Sequence, residues 1–486
     1  MASPDLPFRT ATELARAIRK KKIGCVELLE LYLKRIETYN PRLNAVIALD
    51  TGTARKTAKA ADKAVARGEE LPPLHGVPMT IKESYDVAGL PTTWGDPALR
   101  ANVASADALP VTRLRGAGVN LFGKTNVPLM LADWQSYNAV YGTTSNPWDI
   151  TRSPGGSSGG SAAALAAGLT GIEAGSDIGA SIRNPAHYCG VYGHKPTWGI
   201  VSPRGHALPG RVAQGDISVI GPLARGAEDL ETAFAAMAGP DDVDGAGWKL
   251  KLPKPAKTKL REFKVAVMLE DANSAVDQEV QTLLSRLAEF LGKSKAKVSL
   301  TARPEIDTTE LHRIYIALLR SATSGRQSNE MYARNQEAAR GLDPDDHSYF
   351  ADMTRANVLG HRDWLAINER RHQLRLRWAE FFKDYDLLLC PAAASAAFPH
   401  DQVGERHERT IEVNGERVPT TDQLFWAGIS SVCYLPGTVA PIGFTPRGLP
   451  VGVQIVGPQY GDRSTLRFAR LLEREYQAFV PPPGYA

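Results

Sequence analysis

Between Ser153 and Ser161 the chain reads Ser-Pro-Gly-Gly-Ser-Ser-Gly-Gly-Ser, which sets Ser157 and Ser158 between two pairs of glycines. Glycine backbone reaches conformations closed to other residues and leaves neighbouring N–H groups accessible. A run of small, Ala-rich residues from Ser161 to Gly168 follows, and such runs favour helix. The two serines are therefore predicted at a helix N-terminus, where unpaired N–H groups and the dipole favour negative charge. Such a loop is suited to building and holding an oxyanion.

A second small-residue run, Gly175-Ser-Asp-Ile-Gly-Ala-Ser181, lies just downstream. Consecutive small residues allow a sharp turn whose N–H groups converge on one point. Ser181, at the end of that turn, is a candidate nucleophile with the turn's own amides as its oxyanion hole. Three rival motifs are weaker. Gly155-x-Ser157-x-Gly159 and Gly156-x-Ser158-x-Gly160 match a nucleophile elbow, but that elbow needs an apolar strand before it. Asn146 to Pro154 is not one. A phosphate loop needs Lys and then Ser or Thr after its last glycine, whereas Gly160 is followed by Ser161-Ala162. The Ser294–Lys297 pair sits in a Lys-rich stretch that reads as a solvated helix end.

The 486 residues exceed the ~250–300 at which single cores stop growing, so length suggests two domains or one unusually large one. With 43% apolar and 23% charged residues the chain reads as soluble and globular. Its net charge of +4 comes from 57 basic and 53 acidic residues, a near-balance that gives no case for nucleic acid or an anionic membrane. Met1 to Arg9 lacks the apolar core of a secretion signal. No apolar run is long enough to span a bilayer. Arg19-Lys20-Lys21-Lys22 reads as a solvated helix end. Cys25, Cys189, Cys390 and Cys433 are far apart and form no CxxC pair. They read as reduced thiols, and a cytoplasmic protein is expected.

Hydrophobic periodicity predicts two helices between Thr10 and Asn40, broken near Gly24 and ended by Asn40-Pro41, then a surface helix over Thr53–Gly68. Val77-Pro-Met-Thr-Ile81 is predicted as a buried strand leading into Lys82. A helix over Thr112–Gly118 and a strand over Val119–Phe122 follow. Such alternation implies an α/β layered fold. Gly239 to Glu262 is rich in Pro, Gly, Asp and Lys and reads as a linker. Beyond it come a strand over Phe263–Leu269, a helix over Asp277–Leu291, and long helical stretches over Thr308–Arg340 and Thr354–Tyr385. The region from about 270 to 385 reads as a helical insertion or cap. Asp386–Cys390 and Pro450–Val456 read as strands, and Ser464–Tyr476 as a closing helix.

Together, Pro154-Gly-Gly-Ser-Ser-Gly-Gly-Ser161, Gly175-Ser-Asp-Ile-Gly-Ala-Ser-Ile-Arg183 and Cys189-Gly-Val-Tyr-Gly-His-Lys-Pro-Thr197 closely resemble the amidase signature family. His75-Gly-Val-Pro-Met-Thr-Ile-Lys82, Gly123–Pro128, Asn146-Pro-Trp148 and Gly448–Gly457 extend the resemblance nearly end to end. Only about 240–385 lacks clear motifs. The resemblance implies one domain over 1–486, with that portion divergent and largely helical. It also implies a large, mixed, twisted β-sheet covered by helices on both faces. It implies a Ser–cis-Ser–Lys triad, with Ser181 as nucleophile, Ser157 as bridging serine after a cis peptide, and Lys82 as base. The N–H groups of Ile178, Gly179, Ala180 and Ser181 would form the oxyanion hole.

The chemistry is coherent. Lys82 must be neutral to act as base, and burial disfavours its charged form. Ser157 would relay the Ser181 proton to Lys82 while Ser181 forms an acyl-enzyme. The implied function is hydrolysis of a carboxamide to acid and ammonia or amine, with no cofactor and no metal. A small-molecule amide is the only partner expected, and a homodimer is left open. Two positions depart from the family: Ala180 stands where Gly is more common, and His194 where an apolar residue is usual. Asp177 and Arg183 read as a structural ion pair, and His187 and His194 as packing or pocket-wall residues. In relatives the segment after Asn126 lines the acyl pocket. Met130, Leu131 and Trp134 would then favour an apolar or aromatic acyl group, with Phe425 and Trp426 on the other side. The alternative is the amidase (glutaminase) subunit of a glutamine-dependent tRNA amidotransferase, which would need partner subunits and charged residues to grip glutamine. A non-catalytic binding protein on this fold is disfavoured by the intact triad positions.

Overall fold

A computed structural model describes residues 5–485; the first four residues of the Met1–Arg9 segment lie outside it. The core is an eight-stranded sheet. From one edge its order is Lys297–Ser299, Lys264–Val267, Leu387–Pro391, Pro450–Val456, Gly437–Phe444, Tyr192–Lys195, Val219–Ala224 and Glu173–Asp177. The first three strands pair in parallel and the rest antiparallel, which makes the sheet mixed.

Helices cover both faces of the sheet. Successive strand residues point to opposite sides. Thr438 Oγ1 donates to Thr465 Oγ1 at 2.8 Å, in the helix Asp462–Glu475. Its neighbour Gly437 faces Arg183 of the helix Arg183–Cys189.

A second, three-stranded sheet holds Val46–Leu49, Asn120–Thr125 and Pro78–Lys82 in that order. Every residue of Pro78–Lys82 is buried, as its β-branched and apolar pattern predicts. A parallel bridge joins Met79 to Ile172, which brings this strand beside Glu173–Asp177 of the large sheet. That contact places the end of one sheet against the edge of the other, and the candidate site forms there.

The structure departs from the periodicity reading at three places. Pro41 does not end its helix, which runs Cys25–Leu43. A proline so close to the C-terminus removes only one helical bond. The end is made instead by Asn44 at φ +51°, while the Asn40 carboxamide oxygen accepts from the N–H groups of Ala45 and Val46, both at 2.9 Å. The stretch Thr308–Arg340 is two helices, Thr308–Ser324 and Asn329–Arg340, with a corner at Gly325-Arg326-Gln327 and Ser328 capping the second. Likewise 354–385 belongs to two helices, Tyr349–Asn357 and His361–Asp384. Among the described residues all four cysteines are buried and unpaired, and no helix is long and apolar enough to cross a membrane.

Candidate active site

Ser157 and Ser158 sit immediately before the helix Gly159–Ala166, and the Gly156–Ser157 peptide is cis. The glycines let this loop pack where no side chain fits. Gly155 adopts φ +86°, and a Cβ on Gly160 would approach the Asn126 backbone nitrogen to 2.4 Å. Opposite the loop, Lys82 ends its strand with no exposed surface. Its Nζ lies 2.6 Å from Ser157 Oγ, 2.9 Å from Ser158 Oγ and 3.0 Å from Ser176 Oγ. No carboxylate forms an ion pair with it among the described residues. Burial therefore holds the Lys82 ammonium well below its ordinary value, with the more distant Asp177 opposing the shift.

The turn Ile178–Ser181 is pinned through its carbonyls. The Tyr315 hydroxyl donates to Ile178 C=O at 2.9 Å and the Trp134 indole N–H to Gly179 C=O at 2.7 Å. Asn184 N–H donates to Ala180 C=O at 2.7 Å and Ser158 N–H to Ser181 C=O at 3.1 Å. The N–H groups of Ile178, Gly179 and Ser181 have no acceptor among the described residues. That of Ala180 differs, because it donates to Asp177 Oδ1 at 3.0 Å. Of the four amides expected to hold an oxyanion, three therefore have no protein acceptor among the described residues, while Ala180, at φ +66°, turns its N–H to Asp177.

Asp177 also accepts from Arg183, in a pair buried at 2.8 Å. Arg183 spends its remaining donors on Ala427 C=O, Ser430, Ser431 and Gln454. The pair is structural, with its charges matched and its hydrogen bonds satisfied.

Ser181 lines two adjoining cavities. One, of about 130 Å³, also touches Ser157, Trp94, His206 and Arg326. The other, of about 280 Å³, is walled by Met130, Leu131, Trp134 and Leu424, together with Arg320 and Arg326. No hydrogen bond joins the Ser157 and Ser181 hydroxyls here, although both face the smaller cavity.

The structure separates Phe425 and Trp426 from the site. Both are fully buried, with rings 4.9 Å apart, because the helix Leu424–Ser431 is enclosed on all sides. Only Leu424, at its start, reaches the cavity. His187 and His194 are packing residues. His194 lies 2.9 Å from Thr438 Oγ1 and 3.2 Å from Asp462 Oδ1, and His187 sits between the carbonyls of Gly452 and Ser395.

Ser176, Arg326 and His206 are among the residues at the site that escaped the sequence reading. Ser176 sits in the strand preceding the turn, and Arg326 at the corner between helices. His206 lies 2.9 Å from Ser84 Oγ and is pushed down to about 3, chiefly by burial. Only Ser176 carried a signal, since it falls within the motif Gly175–Ser181.

The model of the Amidase family matches residues 27–466. An indoleacetamide hydrolase of Bradyrhizobium diazoefficiens is 35% identical, over 96% of this chain and 86% of its own. A glutamyl-tRNA(Gln) amidotransferase subunit of Anaeromyxobacter dehalogenans is 32% identical, over 97% of both. Among solved structures, a bacterial aryl acylamidase of the amidase signature enzymes superposes with a TM-score of 0.80. It covers 97% of this chain and 96% of its own at 24% identity, a likeness in fold.

Proposed function

The chain belongs to the amidase signature family, and on that premise we propose that it hydrolyses small carboxamides through an acyl-enzyme on Ser181. Membership makes it an amide hydrolase; the assignment of roles is the proposal. The observation that carries it is the Lys82 amine, buried among three serine hydroxyls with no carboxylate partner among the described residues.

Neutral Lys82 takes the Ser157 proton as Ser157 takes that of Ser181. Such hydrogen bonds commonly tighten only when substrate is bound. Ser181 Oγ bonds to the amide carbon, and the oxyanion is held by the N–H groups of Ile178, Gly179 and Ser181. The C–N bond then breaks as the proton returns through Ser157 to the leaving nitrogen. Water, deprotonated along the same path, releases the acid. Met130, Leu131, Trp134 and Leu424 supply an apolar wall for the acyl group.

A screen across aliphatic, aryl and peptide amides, read as acid released, tests this. Turnover that survives Ser181→Ala refutes the role of Ser181. The amidotransferase relatives support a second reading, a glutaminase subunit. Glutamine hydrolysis that appears only with added partner subunits would favour it.

A further inference from the structure

Three arginines line the larger cavity beside Ser181: Arg320, Arg326 and Arg406. Among the described residues the only carboxylate on its wall is Asp133, and that group is held by Arg409 at 2.7 Å. Arg326 donates to Met130 C=O at 2.9 Å and stands 5.3 Å over the Trp94 ring. Arg406 donates to Ala132 C=O and, at 3.5 Å, toward the Tyr349 hydroxyl. Arg320 stands 5.3 Å over the Tyr349 ring. It forms no ion pair among the described residues, and its Nε is buried without a hydrogen-bond partner.

We propose that Arg320, with Arg326 and Arg406 beside it, forms an anion subsite, so that the preferred substrate is an amide whose acyl chain carries a carboxylate. A guanidinium is a planar fork that matches a carboxylate through paired N–H···O bonds. Arg320 has no protein carboxylate to pair with among the described residues, and a substrate carboxylate would supply one in a cavity that already holds the nucleophile. Burial, and after it the neighbouring Arg406, push the Arg320 guanidinium well down from its ordinary value. An uncharged acyl chain would leave these charges facing apolar atoms. The apolar wall then contacts the methylenes between the amide and the acid.

This rests on the amidase reading of the same cavity and is tested so that the two can fail separately. Ammonia release is compared for succinamate, glutaramate and adipamate against butanamide, pentanamide and hexanamide. The proposal expects the best amic acid to exceed its alkyl counterpart at least about tenfold in kcat/KM. Arg320→Gln should lower that ratio at least about tenfold, and Arg320→Lys should recover part of it. Melting curves with glutarate or adipate, the acids released, give a second reading. They should show a rise in Tm for the wild type that Arg320→Gln loses. Alkyl amides cleaved as well as amic acids, a ratio unmoved by Arg320→Gln, or the absence of both amic acid turnover and a rise in Tm would each overturn the subsite. Arg320-dependent binding of glutarate without cleavage of any amide would instead refute the amidase reading and leave the subsite standing.

Discussion

The indole N–H of Trp134 donates to the carbonyl of Gly179 at 2.7 Å, tying the wall of the larger cavity to the turn that ends in Ser181. Trp134 thus has two tasks, an apolar surface and an anchor. Trp134→Phe keeps the first and removes the second. A neutral hydrogen bond contributes about 1 kcal/mol, so kcat should fall about fivefold with KM little changed. Steady-state kinetics on one amide checks this. A rise in KM alone would mean the turn holds without its anchor.

Lys82 makes a prediction with a definite sign. Its folded-state value is lowered by burial, so the unfolded chain binds more protons wherever pH lies between that value and the ordinary 10.5. Stability from this group is present at high pH and is lost as pH falls through that interval. Lys82→Met should therefore be at least as stable as wild type at pH 7, by urea midpoint, and lose that advantage toward pH 10. Its turnover should drop about a thousandfold or more. Ser157→Ala added to it should cost little further, because residues acting as a unit are not additive.

Arg183 is expected to matter for folding as much as for rate. Removing one partner of a buried ion pair costs about 3–5 kcal/mol. Arg183→Met should lower the denaturation midpoint accordingly and weaken turnover, since Asp177 then holds the N–H groups of Ala180 and Ile182 without its counter-charge.

His206 predicts acid sensitivity. Its folded-state value is about 3, lowered chiefly by burial, against 6.5 unfolded. Its contribution is fully present above pH 6.5 and is lost as pH falls toward 3. At pH 5 the loss is about 2 kcal/mol relative to pH 7. Urea midpoints at the two pH values should differ less in His206→Asn than in wild type.

Much of this site was legible because its parts are local. Glycines around Ser157, small residues before Ser181 and a β-branched run before Lys82 each announce a loop, a turn or a strand without knowledge of the rest. The surroundings were not legible, because they depend on contacts between distant segments. Phe425 and Trp426 look like pocket aromatics, yet their helix is enclosed and only Leu424 emerges. Arg326 reaches the cavity only because the helix stops at Ser324, a corner hidden in a continuous helical pattern. Ala180 reads as one more oxyanion donor until Asp177 is seen to take its N–H. Pro41 reads as a stop, but the helix runs past it to Leu43.

Ser181 is expected to form the covalent bond and Lys82 to activate it. Reaction with a fluorophosphonate, followed by peptide mass spectrometry, tests both parts. The adduct should map to Ser181, and Lys82→Met should slow its formation at least about a hundredfold. An adduct on Ser157 or Ser158, or labelling at the wild-type rate without Lys82, would contradict the account.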